Sequence, residues 1–162
     1  MRRRSLLAAP LALAPIALPR RPAWAADKTK IVWWHAMTAA LADEVNRMAA
    51  AFNASQGEFE IEAVYKGGYP DTLTATIAAS RAGQAPHLVQ VFDVGTGTML
   101  VAGKAVKQVW ELAKETGLTI DPKGYIPAVR GYYSLSDGRM ASMPFNSSTA
   151  TMWYNKDAFR KA

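Results

Sequence analysis

Between Lys30 and Phe92 the chain runs twice from an extended segment into a helix and out to another extended segment, which restricts its fold more than any other feature. Lys30-Ile31-Val32-Trp33-Trp34 is β-branched and aromatic, and reads as a first strand ending at His35-Ala36-Met37-Thr38. Leu41, Val45, Met48, Ala49 and Phe52 then recur at helical spacing. Asp43 and Glu44 lie in the first turn, where the helix dipole favours carboxylates. After Gly57 the chain alternates, with Phe59, Ile61, Ala63 and Tyr65 set against Glu58, Glu60, Glu62 and Lys66. That pattern predicts a half-exposed strand near a sheet edge.

Gly67-Gly68-Tyr69-Pro70-Asp71 reads as a loop, with Asp71 as N-cap of a helix that turns Leu73 and Ile77 inward and ends at Gly83. Leu88-Val89-Gln90-Val91-Phe92 is nearly continuous in apolar residues and predicts a strand buried on both faces. It stops at Asp93, and Asp93-Val94-Gly95-Thr96-Gly97-Thr98 reads as a turn before a helical pattern at Met99. Strands and helices alternating over short connections imply an α/β fold, a mostly parallel sheet covered by helices. In such open sheets ligands bind in the loops that leave the carboxyl ends of the strands.

Further on, Trp110 to Thr116 predicts a short helix closed by Gly117, and Asp121-Pro122 opens a turn toward Tyr125 and Ile126. Ser136-Asp137-Gly138-Arg139 is hairpin-like, and Met140–Phe145 and Thr149–Tyr154 read as extended segments. Asn155 to Ala162 starts a helix in which the chain stops with neither cap nor terminal glycine, so it reads as a fragment.

The first 25 residues read as an address rather than a fold. Arg2-Arg3-Arg4, the apolar run from Leu6 to Leu18 and Ala23-Trp24-Ala25 are the three parts of a secretory signal. The run is shorter than the roughly 20 residues that span a bilayer, so no stable membrane insertion is expected. Arg3-Arg4-Ser5-Leu6-Leu7 suits a twin-arginine signal, and an arginine-rich Sec signal fits equally. Five of the 19 basic residues leave with this segment, so 14 face 13 acidic ones and the formal charge falls from +6 to +1. No basic-aromatic stripe remains, and nucleic acid is not an expected partner. With no cysteine and only His35 and His87, a disulfide framework, a lipobox and a thiolate or histidine-rich metal centre are excluded.

Asp93 is the sharpest candidate, because a carboxylate at the end of an apolar run must be solvated, paired or used. Its other role would be to cap the helix that follows. Tyr69, in a glycine loop, can lay its ring on a ligand's C–H face and donate from its hydroxyl, or simply close the loop over the core. Trp33 and Trp34 face opposite ways on a strand, so one can be core and the other a cleft floor, and Trp153 carries the same pair of readings. Asn146-Ser147-Ser148-Thr149 offers hydroxyls and backbone N–H groups to an oxyanion or sugar, or forms an ordinary Asx or Ser/Thr turn. A Ser-His-Asp triad from Ser147 or Ser148, His35 and Asp93 lacks a G-x-S-x-G elbow. Gly95-x-Gly97 lacks the rest of a dinucleotide fingerprint.

Trp34-His35-Ala36-Met37, Tyr65-Lys66-Gly67-Gly68-Tyr69, Ile77-Ala78-Ala79, Ala85-Pro86-His87, Gln90 to Thr96, Gly131-Tyr132-Tyr133 and Pro144-Phe145-Asn146-Ser147-Ser148 occur in this order. Together they resemble the N-terminal part of the periplasmic sn-glycerol-3-phosphate-binding proteins of ABC importers. Tyr154-Asn155-Lys156-Asp157 is shared more widely with maltose-type binding proteins. The resemblance implies a hinged, two-lobed, monomeric periplasmic protein that closes on glycerol-3-phosphate or a related small polyol and presents it to the permease subunits, with no cofactor. It implies a signal peptide over residues 1–25, an N-terminal lobe over 26–144, and a hinge crossing with the start of a truncated second lobe over 145–162. It carries ligand contacts onto Tyr69, Asp93 and Ser148, with Trp34 and Ser147 as neighbours. Where the family more often has glutamate, Asp93 is one methylene shorter. A sugar or oligosaccharide receptor on the same fold and an exported serine hydrolase are the alternatives.

Overall fold

The computed structural model describes residues 27–162, so the signal segment assigned to residues 1–25 lies outside the described residues. Three parallel strands form the sheet, β1 (Thr29–His35), β2 (Phe59–Tyr65) and β3 (Leu88–Val89), in the order β2-β1-β3. Helices α1 (Ala40–Ser55) and α2 (Tyr69–Arg81) make the two crossovers. Then follow α3 (Asp93–Leu100), α4 (Val109–Thr116), α5 (Pro127–Tyr132) and α6 (Lys156–Lys161). The α/β reading and the parallel sheet hold.

β1 is central, matched to β2 from Thr29↔Phe59 to His35↔Tyr65 and to β3 at Trp33↔Leu88 and Trp34↔Val89. β2 is an edge, as its alternation predicts, and side chains of α1 blunt it. Asn53 Nδ2 donates to the Ile61 carbonyl at 2.9 Å, and Asn53 Oδ1 accepts from the Ile61 N–H at 2.7 Å. Those bonds occupy backbone groups that an edge would otherwise offer to another chain. Val45 and Ala49 are the buried residues of α1, whereas Leu41, Met48 and Phe52 stay exposed.

β3 differs from expectation. Only Leu88 and Val89 pair as a strand, and Leu88 is 49% exposed. The Gln90 N–H reaches the Trp34 carbonyl at 2.9 Å, and beyond this the side chain of Gln90 replaces the ladder by accepting from the Ala36 N–H at 3.0 Å. At the other end His87 Nδ1 accepts from the Val32 N–H at 3.0 Å. β3 is thus short because side chains finish its pairing.

Other corrections are local. α2 begins at Tyr69 with Gly68 as N-cap, so Asp71 lies in its first turn rather than capping it. Thr72 and Thr76, not Leu73 and Ile77, are the buried residues of α2. Their hydroxyls donate to the Gly67 and Thr72 carbonyls, which leaves threonine methyls to pack like small apolar groups. α3 starts at Asp93, so Asp93–Thr98 is helix rather than turn.

Gly83 and Gly117 close α2 and α4 at φ +69° and +71°, as read from the sequence. The Ser136–Arg139 turn is present, bridged by Ser134 and Met140. The carbonyls of Ala141 and Met140 accept from the N–H groups of Val109 and Trp110 at the start of α4. The segments expected to be extended, Met140–Phe145 and Thr149–Tyr154, form no further strand among the described residues. An open groove of about 770 Å³, lined by Trp33, Ile77, Leu88, Met99, Val109 and Phe145 among others, lies beside β3. No described helix is long and apolar enough to cross a membrane.

Candidate functional site

The strand order places a topological switch at the carboxyl ends, where the chain leaves β2 and β3 on opposite sides of β1. α2 and α3 begin there. Gly67 adopts φ +91°, and a Cβ on it would lie 2.8 Å from Asp71 Cβ. With glycine there, Asp71 Oδ2 accepts from the Gly68 N–H at 3.0 Å and holds the start of α2. Tyr69 is thereby fixed as the first helical residue. Its ring stacks on Phe92, the N-cap of α3, with centroids 5.4 Å apart and planes 21° apart. Gly95 is buried within α3, and a Cβ there would meet Leu73, Val91 and Phe92 at 3.1 Å. Its missing side chain lets α3 settle against α2, so it is a packing glycine rather than the turn glycine read from the sequence.

Asp93 follows Phe92 directly and is exposed. Its Oδ1 accepts from the Val94 N–H at 2.9 Å, and it forms no ion pair among the described residues. Tyr132 and Tyr133 approach from the end of α5, ring edge against ring face at 5.1 Å. Tyr133 Oη donates to the Asn146 carbonyl at 2.9 Å. Burial first, then the neighbouring Tyr132, Tyr69 and Asp93, raise the Tyr133 phenol above its ordinary pKa. The end of α5 reaches α3 through Tyr132, whose Oη donates to Thr96 Oγ1 at 3.4 Å.

Ser147 and Ser148 are exposed and follow Asn146 directly, with no hydrogen bond among the described residues. Asn146 is tied on three sides. Besides the Tyr133 bond, its Oδ1 accepts from Gln90 Nε2 at 3.3 Å and its Nδ2 approaches Met37 Sδ at 3.8 Å. Past Asn146 the chain leaves the packed body, and Trp153 is 93% exposed, neither core nor cleft floor. Trp33 and Trp34 do face opposite ways: Trp33 meets Phe145 edge-on at 5.2 Å, and Lys66 Nζ sits 4.3 Å over the Trp34 ring.

His35 is buried, with its ring near Trp33 and Tyr65, and its Nδ1 accepts from the Met37 N–H at 3.3 Å. Burial lowers its pKa. It bonds to neither Asp93 nor a serine among the described residues, so the triad has no geometric basis. No group of three or more potential metal ligands gathers among the described residues. The helix starts thus offer an exposed carboxylate and a phenol beside stacked aromatic faces, groups a polyol can use, while no hydrogen bond among the described residues ties Ser147 or Ser148 to them.

Sequence reasoning passed over Tyr133 and Gln90 as site residues and named Asn146 only as the first member of the Asn146–Thr149 polar run. Gln90 carried a usable signal, because an amide inside an apolar run must find partners when buried. Tyr133 carried none, since nothing local tells which of two adjacent tyrosines turns inward.

Residues 47–162 match the family of bacterial extracellular solute-binding proteins. The chain is 47% identical over 135 residues to the sn-glycerol-3-phosphate-binding periplasmic protein of Brucella abortus (strain 2308), covering 83% of this chain and 31% of that protein. The proteins of the same name from Agrobacterium fabrum (48% over 134 residues, 83% of this chain, 31% of that protein) and Pectobacterium atrosepticum (46% over 152 residues, 93% of this chain, 34% of that protein) are similar too. The chain thus spans about a third of the length of the curated relatives it matches. With the family match covering most of its length, this chain belongs to the bacterial extracellular solute-binding proteins.

Proposed function

We propose that the full-length gene product is a periplasmic receptor that captures sn-glycerol-3-phosphate, or a glycerophosphodiester, and delivers it to the permease subunits of an ABC importer. It acts as a monomer by reversible closure of two lobes and changes no bond in its ligand. The observation that carries this reading is the carboxyl-end switch of the sheet, where α2 opens on Tyr69, stacked on Phe92, and α3 opens on the exposed Asp93. The printed names of the relatives agree with it. In this reading Asp93 accepts from glycerol hydroxyls, Tyr69 packs on the carbon backbone, and Ser147 and Ser148 donate to the ligand's polar end. Trp34 forms a neighbouring wall, and residues 145–162 cross into the second lobe.

The stacked Tyr69–Phe92 pair also suits the flat face of a sugar ring, which keeps a sugar or oligosaccharide receptor as the second reading. Calorimetry of the full-length gene product with glycerol-3-phosphate and with maltose separates the two. Saturable heat with glycerol-3-phosphate alone is the expected result. Heat with maltose alone transfers the protein to the second reading.

A further inference from the structure

We propose that Gln90 and Asn146 form a clasp that sets the path of the Ser147–Ser148 segment, making both positioning residues for ligand capture; this rests on the function proposed above. Gln90 is 8% exposed, and each end of its amide is committed. Oε1 accepts from the Ala36 N–H, the first backbone donor past β1, which fixes the amide's orientation and turns Nε2 outward. Nε2 then donates to Asn146 Oδ1, leaving Asn146 Nδ2 directed at Met37 Sδ. Tyr133 Oη holds the Asn146 backbone from another direction.

One residue is thus tied by three elements, the β1 exit, the β3 exit and the end of α5, just where the chain leaves the packed body. The next two residues are the serines, which have no tether of their own among the described residues. Their position relative to Asp93 is inherited from Asn146. A buried amide satisfied at both ends permits one arrangement, whereas an apolar side chain of the same size would leave the crossing segment unspecified.

Residues 1–162 contain no cysteine, and any cysteine in the rest of the gene product is first replaced by serine, so that a spin label reports one introduced site. In the full-length gene product carrying Thr149→Cys, the ligand-free label spectrum and the glycerol-3-phosphate affinity are compared for the parent, Asn146→Ala, Gln90→Met and the double variant. Asn146→Ala leaves Gln90 Nε2 without its partner, so melting temperatures are measured for every variant, and spectra and affinities are compared only at temperatures where all are folded. The clasp predicts greater label mobility in every variant and an affinity loss of about tenfold in each, the scale of one lost hydrogen-bonded position. Gln90→Met also removes the acceptor of the Ala36 N–H, so the double variant should lose little more than Gln90→Met alone, in which the link to Asn146 is already broken. Unchanged label mobility overturns the clasp whatever binds. Increased mobility with unchanged affinity overturns its role in capture while leaving the proposed ligand intact. A parent that binds no glycerol-3-phosphate overturns the proposed function itself, and with it the capture role.

Discussion

Replacing Asp93 separates a ligand contact from a helix-start residue, because the two roles predict opposite outcomes. Asp93 is exposed, accepts only from its neighbour's N–H at 2.9 Å, and forms no ion pair among the described residues. Removing it strands no buried partner, so the stability cost is limited to the interaction of a first-turn carboxylate with the helix dipole, about 0.3–1 kcal/mol. A hydrogen bond from a ligand hydroxyl to a charged acceptor contributes about 1.5–3 kcal/mol, or roughly 10- to 150-fold in Kd. Asp93→Ala in the full-length gene product should therefore weaken glycerol-3-phosphate binding by that factor while barely moving the denaturation midpoint. Asp93→Asn, which keeps an acceptor without charge, should fall between. Calorimetric titration and denaturant unfolding on the same samples give both numbers. Intact affinity with reduced stability would refute the reasoning and leave Asp93 as a helix-start residue alone.

Gly67→Ala should destabilise the fold by about 1–3 kcal/mol, because it forces a side chain onto a positive-φ position and against Asp71. Denaturant midpoints measure this, and a neutral result would show that the start of α2 can rebuild itself. Stability should also fall as pH drops below about 6.5, the unfolded value of histidine. Burial lowers the His35 pKa, so the unfolded chain binds the proton first and the loss continues down to the folded value. Above the unfolded value the contribution is flat. Urea unfolding between pH 5 and 8 should show a slope that shrinks in His35→Gln, and an unchanged slope would assign the effect elsewhere.

The sheet and its edge were legible because periodicity reports which face of a strand is wet, and β2 alternates between glutamates and apolar residues. The end of β3 was not. Leu88 to Phe92 looks like a five-residue strand, yet its partner β1 ends at His35 and the Gln90 side chain takes over the pairing. Local pattern cannot foresee where a neighbouring strand stops. Gly95 was misread for a related reason: a glycine that opens a turn and one that lets helices touch look alike until the third contact, Leu73, is known. Tyr69 and Asp93 stood out as an aromatic and a carboxylate at strand ends. Tyr133, the C-cap of α5 some forty residues further on, gives no such local sign, and its hydrogen bond goes to Asn146.

The central claim is that the polar rim at the carboxyl end of the sheet, not the apolar groove beside β3, receives the ligand. A crystal structure of the full-length gene product soaked with sn-glycerol-3-phosphate tests it most directly. The account predicts ligand hydroxyls within about 3.2 Å of the Asp93 carboxylate, with the carbon chain against Tyr69 and a serine hydroxyl of the Ser147–Ser148 pair on its polar end. Ligand seated in the groove against Trp33 and Phe145, with Asp93 and Tyr69 untouched, would contradict it.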